Sequence, residues 1–304
     1  MNFADRLIRE SVRKNSKICV GLDPQLDLLP PELLVKYGKT PSGIGRALFE
    51  FNRGIIDSVH DVAVAVKPQI AFYEQFGIEG MRAFKKTIKY AKKKGLLVIL
   101  DAKRGDIGST ASAYSRAYLG GKEAAFPVDA ITINPYLGAD GILPFLEHCK
   151  AHGKGVFILV KTSNPSAREL QDQRLESGVP VSEHLAAMVR KWGLELGGTL
   201  GYSSVGAVVG ATYPEDAKKL RKIMPRAIFL VPGYGAQGGT AGDMRHFFNE
   251  DGHGAIVNAS RSIIYAYRTS GKPFDVAARE EAIRMRDLIN AALSARDAPA
   301  GERP

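Results

Sequence analysis

Residues 98–114 read VILDAKRGDIGSTASAY, an aliphatic run that ends abruptly in Asp101, Lys103, Arg104 and Asp106 and then breaks at Gly108. Apolar runs of this length belong in a core, so charges of both signs stand where a buried strand would emerge. Residues two apart in a strand share a face, so an extended backbone puts Asp101 and Lys103 on one side with Cα atoms ~6.5 Å apart. Arg104 then points away, and Gly105 lets the chain turn toward Asp106. An ordinary ion pair at a strand end is the plain alternative. Against it, desolvated charges cost several kcal/mol each unless paired, so an Asp, a Lys and a second Asp together are hard to explain as stabilisation. Perturbed electrostatics at a pocket fit function better.

The elements that must position these groups are legible as a rhythm. Apolar, strand-like segments fall at 18–22, 62–66, 96–100, 130–133, 156–160, 205–209, 228–231 and 255–257. Amphipathic windows lie between most of them, for example 45–59, 80–93, 182–196 and 214–223. Strands that are apolar throughout and alternate with helices imply parallel pairing with both faces covered. The pattern predicts an α/β fold, a single (β/α)8 barrel over residues 1–295, with a doubly wound open sheet as the alternative. Polar or special residues recur where the strands end: Asp23, Lys67, Asp101, Asn134, Lys161, Thr212, Gly233 and Arg261. Barrel enzymes carry their catalytic groups at that end. Two loops, 163–181 and 232–243, are long, and the second is rich in glycine and suited to presenting amides to an anion. The composition of residues 296–304 predicts a disordered tail.

Composition narrows the class. The chain has 304 residues, 45% hydrophobic and 24% charged, which is the balance of a soluble globular protein. A net charge of +10 favours anionic ligands without naming them. Two cysteines, Cys19 and Cys149, are too few for a disulfide scaffold, and Cys19 sits in an apolar run as a reduced core thiol. No targeting segment or membrane-length apolar run is present, which predicts a cytoplasmic protein.

Asp101-x-Lys103-x-x-Asp106-Ile107, followed by Thr110, resembles the signature of the orotidine 5′-phosphate decarboxylase family. Leu22-Asp23, Lys67 and Thr162-Ser163 also match, in order. Residues 232–239, PGYGAQGG, resemble that family's phosphate-gripping loop, and 260–263, SRSI, its last phosphate motif. The resemblance spans residues 15–267, and the long loops resemble the longer, second branch of the family. It implies decarboxylation of orotidine 5′-phosphate to uridine 5′-monophosphate, the last step of de novo UMP biosynthesis, with no metal or organic cofactor. It further implies a homodimer with shared sites. Lys67, Asp101, Lys103 and the partner subunit's Asp106 would surround the scissile carboxylate, with Lys103 as proton donor to C6 of the pyrimidine. Asp23 and Lys67 would bind ribose hydroxyls, with the partner's Asp106, Ile107 and Thr110 closing that side. Ser163 would meet the pyrimidine edge. Gln237 and Arg261 would hold the phosphate, helped by the loop that opens at Pro232 and by backbone near Gly233 and Ser260. One departure is Asn258-Ala259-Ser260 before Arg261, where glycine is common in relatives.

Other features are weighed and set aside. His148 and His152 have the i, i+4 spacing of a zinc pair, but no third ligand accompanies them. The lysines of residues 84–95 suggest nucleic acid, yet Phe84, Ile88 and Ala91 form an apolar stripe that makes them a solvated helix face. Ser109-Thr110 reads as an N-cap for the following helix. Two other functions compete. A sugar-phosphate decarboxylase or aldolase that uses magnesium shares the Asp-x-Lys-x-x-Asp motif, but carries an acid where this chain has Lys67. A non-catalytic nucleotide-binding barrel would need no lysine flanked by aspartates.

Overall fold

The computed structural model describes residues 1–235 and 241–295. Its centre is a closed barrel of eight parallel strands: β1 (Ile18–Leu22), β2 (Ala65–Pro68), β3 (Leu97–Arg104), β4 (Ala130–Ile133), β5 (Gly155–Lys161), β6 (Ser203–Val209), β7 (Ala227–Val231) and β8 (Ala255–Ala259). Each strand pairs with the next, and Cys19 of β1 lies opposite Asn258 of β8, so no edge remains. That closure excludes the open doubly wound sheet. Aliphatic side chains on both faces of each strand demand cover on both sides. Helices such as Pro41–Val59, Gly77–Lys93 and Phe274–Ser294 supply the outer cover. Phe84, Ile88 and Ala91 are buried as the apolar stripe requires.

Two strand boundaries differ from the sequence pattern. β2 starts at Ala65 because the amides of Val62 and Ala63 both bond the Val59 carbonyl, finishing the turn that leaves the preceding helix. β3 runs on to Arg104, so the charged residues belong to the strand itself.

The strand-start end of the barrel is closed by the N-terminal helix Phe3–Arg13. Phe3, Leu7 and Ile8 pack with inward residues Cys19, Ala65, Ile99, Phe157 and Ile256 in one apolar cluster, and the Phe3 ring meets Phe157 edge-on at 5.8 Å. Asn2 caps the helix by accepting the Asp5 amide at 2.9 Å. Asp5 in turn accepts the amides of Thr199 and Leu200 and the Thr199 hydroxyl, at 3.0, 2.9 and 2.9 Å. Arg6 reaches Asp129 at 2.8 Å. No helix among the described residues is long and apolar enough to cross a membrane.

Burial would raise the Asp5 carboxyl, but the Leu200 and Thr199 donors outweigh it and hold its pKa below the usual value. A depressed folded-state pKa contributes stability that is complete above the unfolded value and lost as pH falls below it. Asp5→Ala should therefore cost about 1–3 kcal/mol at neutral pH, the penalty for orphaned buried donors. That gap should narrow as pH drops below about 4. Denaturant midpoints of both proteins at pH 7 and pH 3 check this; a gap that widens in acid would contradict it.

Candidate active site

Asp101 organises the mouth of the barrel. It lies in the second half of β3, beside β2 and its Lys67, and the alternation that places Ala65 and Ile99 in the lumen cluster turns both side chains inward. The Lys67 ammonium donates to Asp101 Oδ2 at 2.7 Å, and Lys103 donates to Oδ1 at 2.6 Å. Lys67 is 4% exposed, whereas the Lys103 side chain is 46% exposed and reaches the open mouth. Burial works against the charged form of Asp101, yet Lys67 and then Lys103 outweigh it and hold this carboxyl well below the usual carboxylate range. Burial likewise opposes the Lys67 ammonium, but Asp101 and Asp23 outweigh it and keep its pKa above the usual lysine value. The result is a fixed carboxylate between two ammoniums, one sealed and one presented.

The backbone that achieves this is not the plain strand expected. Lys103 sits in the left-handed region with φ +46, which long L side chains rarely adopt. The β3–β4 register slips between Leu100 and Arg104, so residues 101–103 bulge away from β4. Asp101 and Lys103 still converge, through the bulge. Arg104 points away as expected, pairing with Glu74 at 2.5 Å and facing the Tyr114 ring. Thr132 of β4, which lies outside the sequence motifs, fills the bulge and touches Asp101. Its signal in the sequence is a hydroxyl at an inward position of the apolar run ending at Ile133.

Asp23 stands next to this cluster at the exit of β1. Its Oδ1 is sealed from solvent without a partner among the described residues. Burial pushes its carboxyl up, against the pull of Lys67 and the Ser260 hydroxyl. Gly21 makes room for that hydroxyl, since a Cβ there would fall 1.8 Å from Ser260 Oγ. Tyr265, also missed from sequence, steadies the same exit by donating to the Asp23 carbonyl at 3.0 Å and accepting the Gln25 amide at 2.7 Å. Asn258, the departure noted on β8, is buried with Oδ1 lacking a partner among the described residues.

Ser163 follows β5 and packs against Gly210, where a Cβ would meet its backbone at 2.8 Å. The long loop beyond it is internally bonded. Gln171 accepts the Thr162 amide at 2.9 Å and donates to its hydroxyl at 2.8 Å, while buried Lys161 pairs with Asp172. Arg261 opens the short helix Arg261–Ile264 with its side chain exposed, and Pro232 follows β7 at the same mouth. Gln237 lies outside the described residues.

Asp106, Ile107 and Thr110 stand apart from the cluster. Asp106 uses Oδ1 to accept the Ile107 amide at 2.8 Å, and Ile107 is 52% exposed. The helix here begins at Gly108, with extended Ile107 in the cap position and no side-chain cap. The N-cap reading of Ser109-Thr110 is thereby corrected: the helix is entered at Gly108 from extended Ile107, leaving both residues exposed in its first turn. His148 and His152 stack at 5.7 Å, and no group of three His, Cys, Asp or Glu among the described residues could hold a metal.

A closed (β/α)8 barrel with opposed charges crowded at the C-terminal mouth of its strands has the architecture of a barrel enzyme, whose catalytic groups stand at that mouth. The sequence profile of the orotidine 5′-phosphate decarboxylase / HUMPS family matches residues 16–271, and the chain belongs to that family. It is 45% identical to the orotidine 5′-phosphate decarboxylase of Caldicellulosiruptor bescii, over 97% of this chain and 100% of that one. It is 44% identical to the enzyme of the same name from Clostridium perfringens, over 96% and 99% of the two chains. The solved OMP decarboxylase of Leishmania donovani superposes with a TM-score of 0.75 at 31% identity, covering 97% of this chain and 99% of that one.

Because Lys67 has Asp101 as its direct ion-pair partner, removing that carboxylate strands a buried ammonium. Asp101→Ala should lower stability by about 3–5 kcal/mol, the cost of breaking a buried pair on one side. Chemical denaturation at pH 7 measures it, and a loss below about 1 kcal/mol, the range of exposed pairs, would contradict the burial argument.

Proposed function

We propose that this protein decarboxylates orotidine 5′-phosphate to uridine 5′-monophosphate, with no metal or organic cofactor. The observation that carries the reading is the single carboxylate of Asp101 held between buried Lys67 and presented Lys103. Breaking the bond from C6 to the carboxylate releases carbon dioxide and leaves an electron pair on C6. An ammonium fixed beside that carbon stabilises the developing charge and then delivers a proton to it. Lys103 is the most exposed group of the cluster, its side chain 46% open to the mouth, so we assign it that role. Asp101 orients it and sets negative charge beside the departing carboxylate. Lys67 keeps Asp101 ionised and, with Asp23, faces the ribose hydroxyls; Asp23 Oδ1, buried and without a partner among the described residues, suits a hydroxyl donor. Ser163 is assigned to the pyrimidine edge. Arg261, Gln237 and the backbone at Pro232 and Ser260 are assigned to the phosphate, where loops after the seventh and eighth strands commonly bind it.

The magnesium-using alternative fits the residues less well, because Lys67 would repel a divalent cation at the second strand. A dimer with shared sites is favoured by Asp106, whose Oδ1 accepts the Ile107 amide while both lysines pair with Asp101, and whose carbonyl lies beside Gly141 close to the patch at exposed Leu137. Tyr136 and Leu143, 78% and 47% exposed, extend that patch. The two buried free thiols suit a cytoplasmic setting.

Loss of orotidine 5′-phosphate absorbance, with and without a chelator, tests the activity. Lys103→Ala should lower kcat by about 100-fold or more while leaving product affinity near wild type. A variant that keeps over about a tenth of wild-type kcat would remove Lys103 from the chemistry. For the shared site, Asp106→Asn mixed with Lys103→Ala should regain activity after subunit exchange, since each heterodimer then contains one intact site. Proven heterodimers that stay inactive would mean each chain builds its own site.

A further inference from the structure

Lys103 owes its placement to a neighbour outside the motif. We propose that Thr132 is a positioning residue, holding the Lys103 backbone and the Asp101 carboxylate in one hydrogen-bonded ring; this rests on the reading of Lys103 as the proton donor. The β4 ladder meets β3 at Ile99, Leu100 and then Arg104, which leaves the amides of Ala102 and Lys103 without strand partners. Amides drawn even partly out of water need partners, and both of these lie partly buried. Thr132 Oγ1 takes both, at 3.0 Å from Ala102 N and 2.9 Å from Lys103 N. It donates its own proton to Asp101 Oδ1 at 3.1 Å. A hydroxyl has one proton and two lone pairs, so this one is used to capacity.

The same Asp101 Oδ1 accepts the Lys103 ammonium. The ring therefore runs from the Lys103 amide through Thr132 and Asp101 back to the Lys103 side-chain nitrogen. One hydroxyl governs both ends of this lysine, while its φ stays in the left-handed region. Asn15 is the other non-glycine residue with positive φ among the described residues, and it lies far from the mouth, after the N-terminal helix. At 1% exposure Thr132 is shielded from water that might replace it. Valine has the same shape without the hydroxyl; serine keeps the hydroxyl without the methyl.

The test compares Thr132→Val and Thr132→Ser in steady-state decarboxylation of orotidine 5′-phosphate, with uridine 5′-monophosphate affinity and thermal unfolding measured alongside. Thr132→Val should lose about 10- to 100-fold in kcat, the scale of a misplaced catalytic group. Its product affinity should stay close to wild type, because a positioning defect acts on the transition state. Thr132→Ser should recover most of the lost kcat. Wild-type kcat in Thr132→Val, or product affinity falling in step with kcat, overturns the inference. Should Thr132→Val fail to fold, Thr132→Ala is read the same way; failure of both beside an active Thr132→Ser makes the hydroxyl purely structural and also overturns it. A wild-type protein inert toward orotidine 5′-phosphate overturns the proposed activity and this inference with it, an outcome distinct from an active wild type matched by Thr132→Val.

Discussion

A buried carboxylate that divides its two oxygens between two ammoniums tolerates little movement, because each charge is paired only while all three stay in register. Asp101 meets that constraint by drawing its partners from rigid backbone: Lys67 from the adjacent strand and Lys103 from two residues further along its own. The low dielectric that makes isolated charges costly also makes these contacts strong when satisfied. Closed parallel pairing fixes the spacing of β2 and β3, and the bulge after Leu100 turns Lys103 back onto Asp101.

The two ends of the barrel are built on different principles. At the strand-start end, apolar side chains from the N-terminal helix enter the lumen, and Asp5 and Arg6 satisfy the polar groups around it. The carboxylates of Asp5 and Asp129 there are each met by donors from neighbouring segments, a structural purpose sufficient by itself. At the opposite mouth, Asp23 Oδ1 and Asn258 Oδ1 are sealed without partners among the described residues, Lys103 holds an uncommon backbone conformation, and Arg261 is exposed. Such compromises are tolerated because the rest of the barrel over-determines the backbone, and they concentrate where ligands bind.

Much of this was legible from the chain alone, for reasons that differ by element. The strands were visible because each is apolar on both faces, a pattern that parallel pairing under helices enforces. Boundaries slipped where local hydrogen bonding competed, as at Val62 and Ala63, whose amides finish a helix instead of starting β2. The N-cap reading of Ser109-Thr110 failed because residue type favoured a cap there, while the chain already enters the helix at Gly108 from extended Ile107. Thr132 escaped notice because a single threonine in an aliphatic run looks like ordinary β-sheet composition.

The sequence by itself determined the barrel, through its alternation of apolar strands and amphipathic helices, and the inventory of the site, through charged residue types at strand ends. Those are properties of local order along the chain, and periodicity reports them directly. Tertiary structure alone decided which oxygen of Asp101 meets which lysine, that Lys103 turns through positive φ, and that a β4 hydroxyl closes the ring around it. These facts depend on the register between strands distant in sequence and on the slip of one ladder. Hydrogen-bond geometry varies over tenths of an ångström, and no pattern of residue types encodes a distance of that kind.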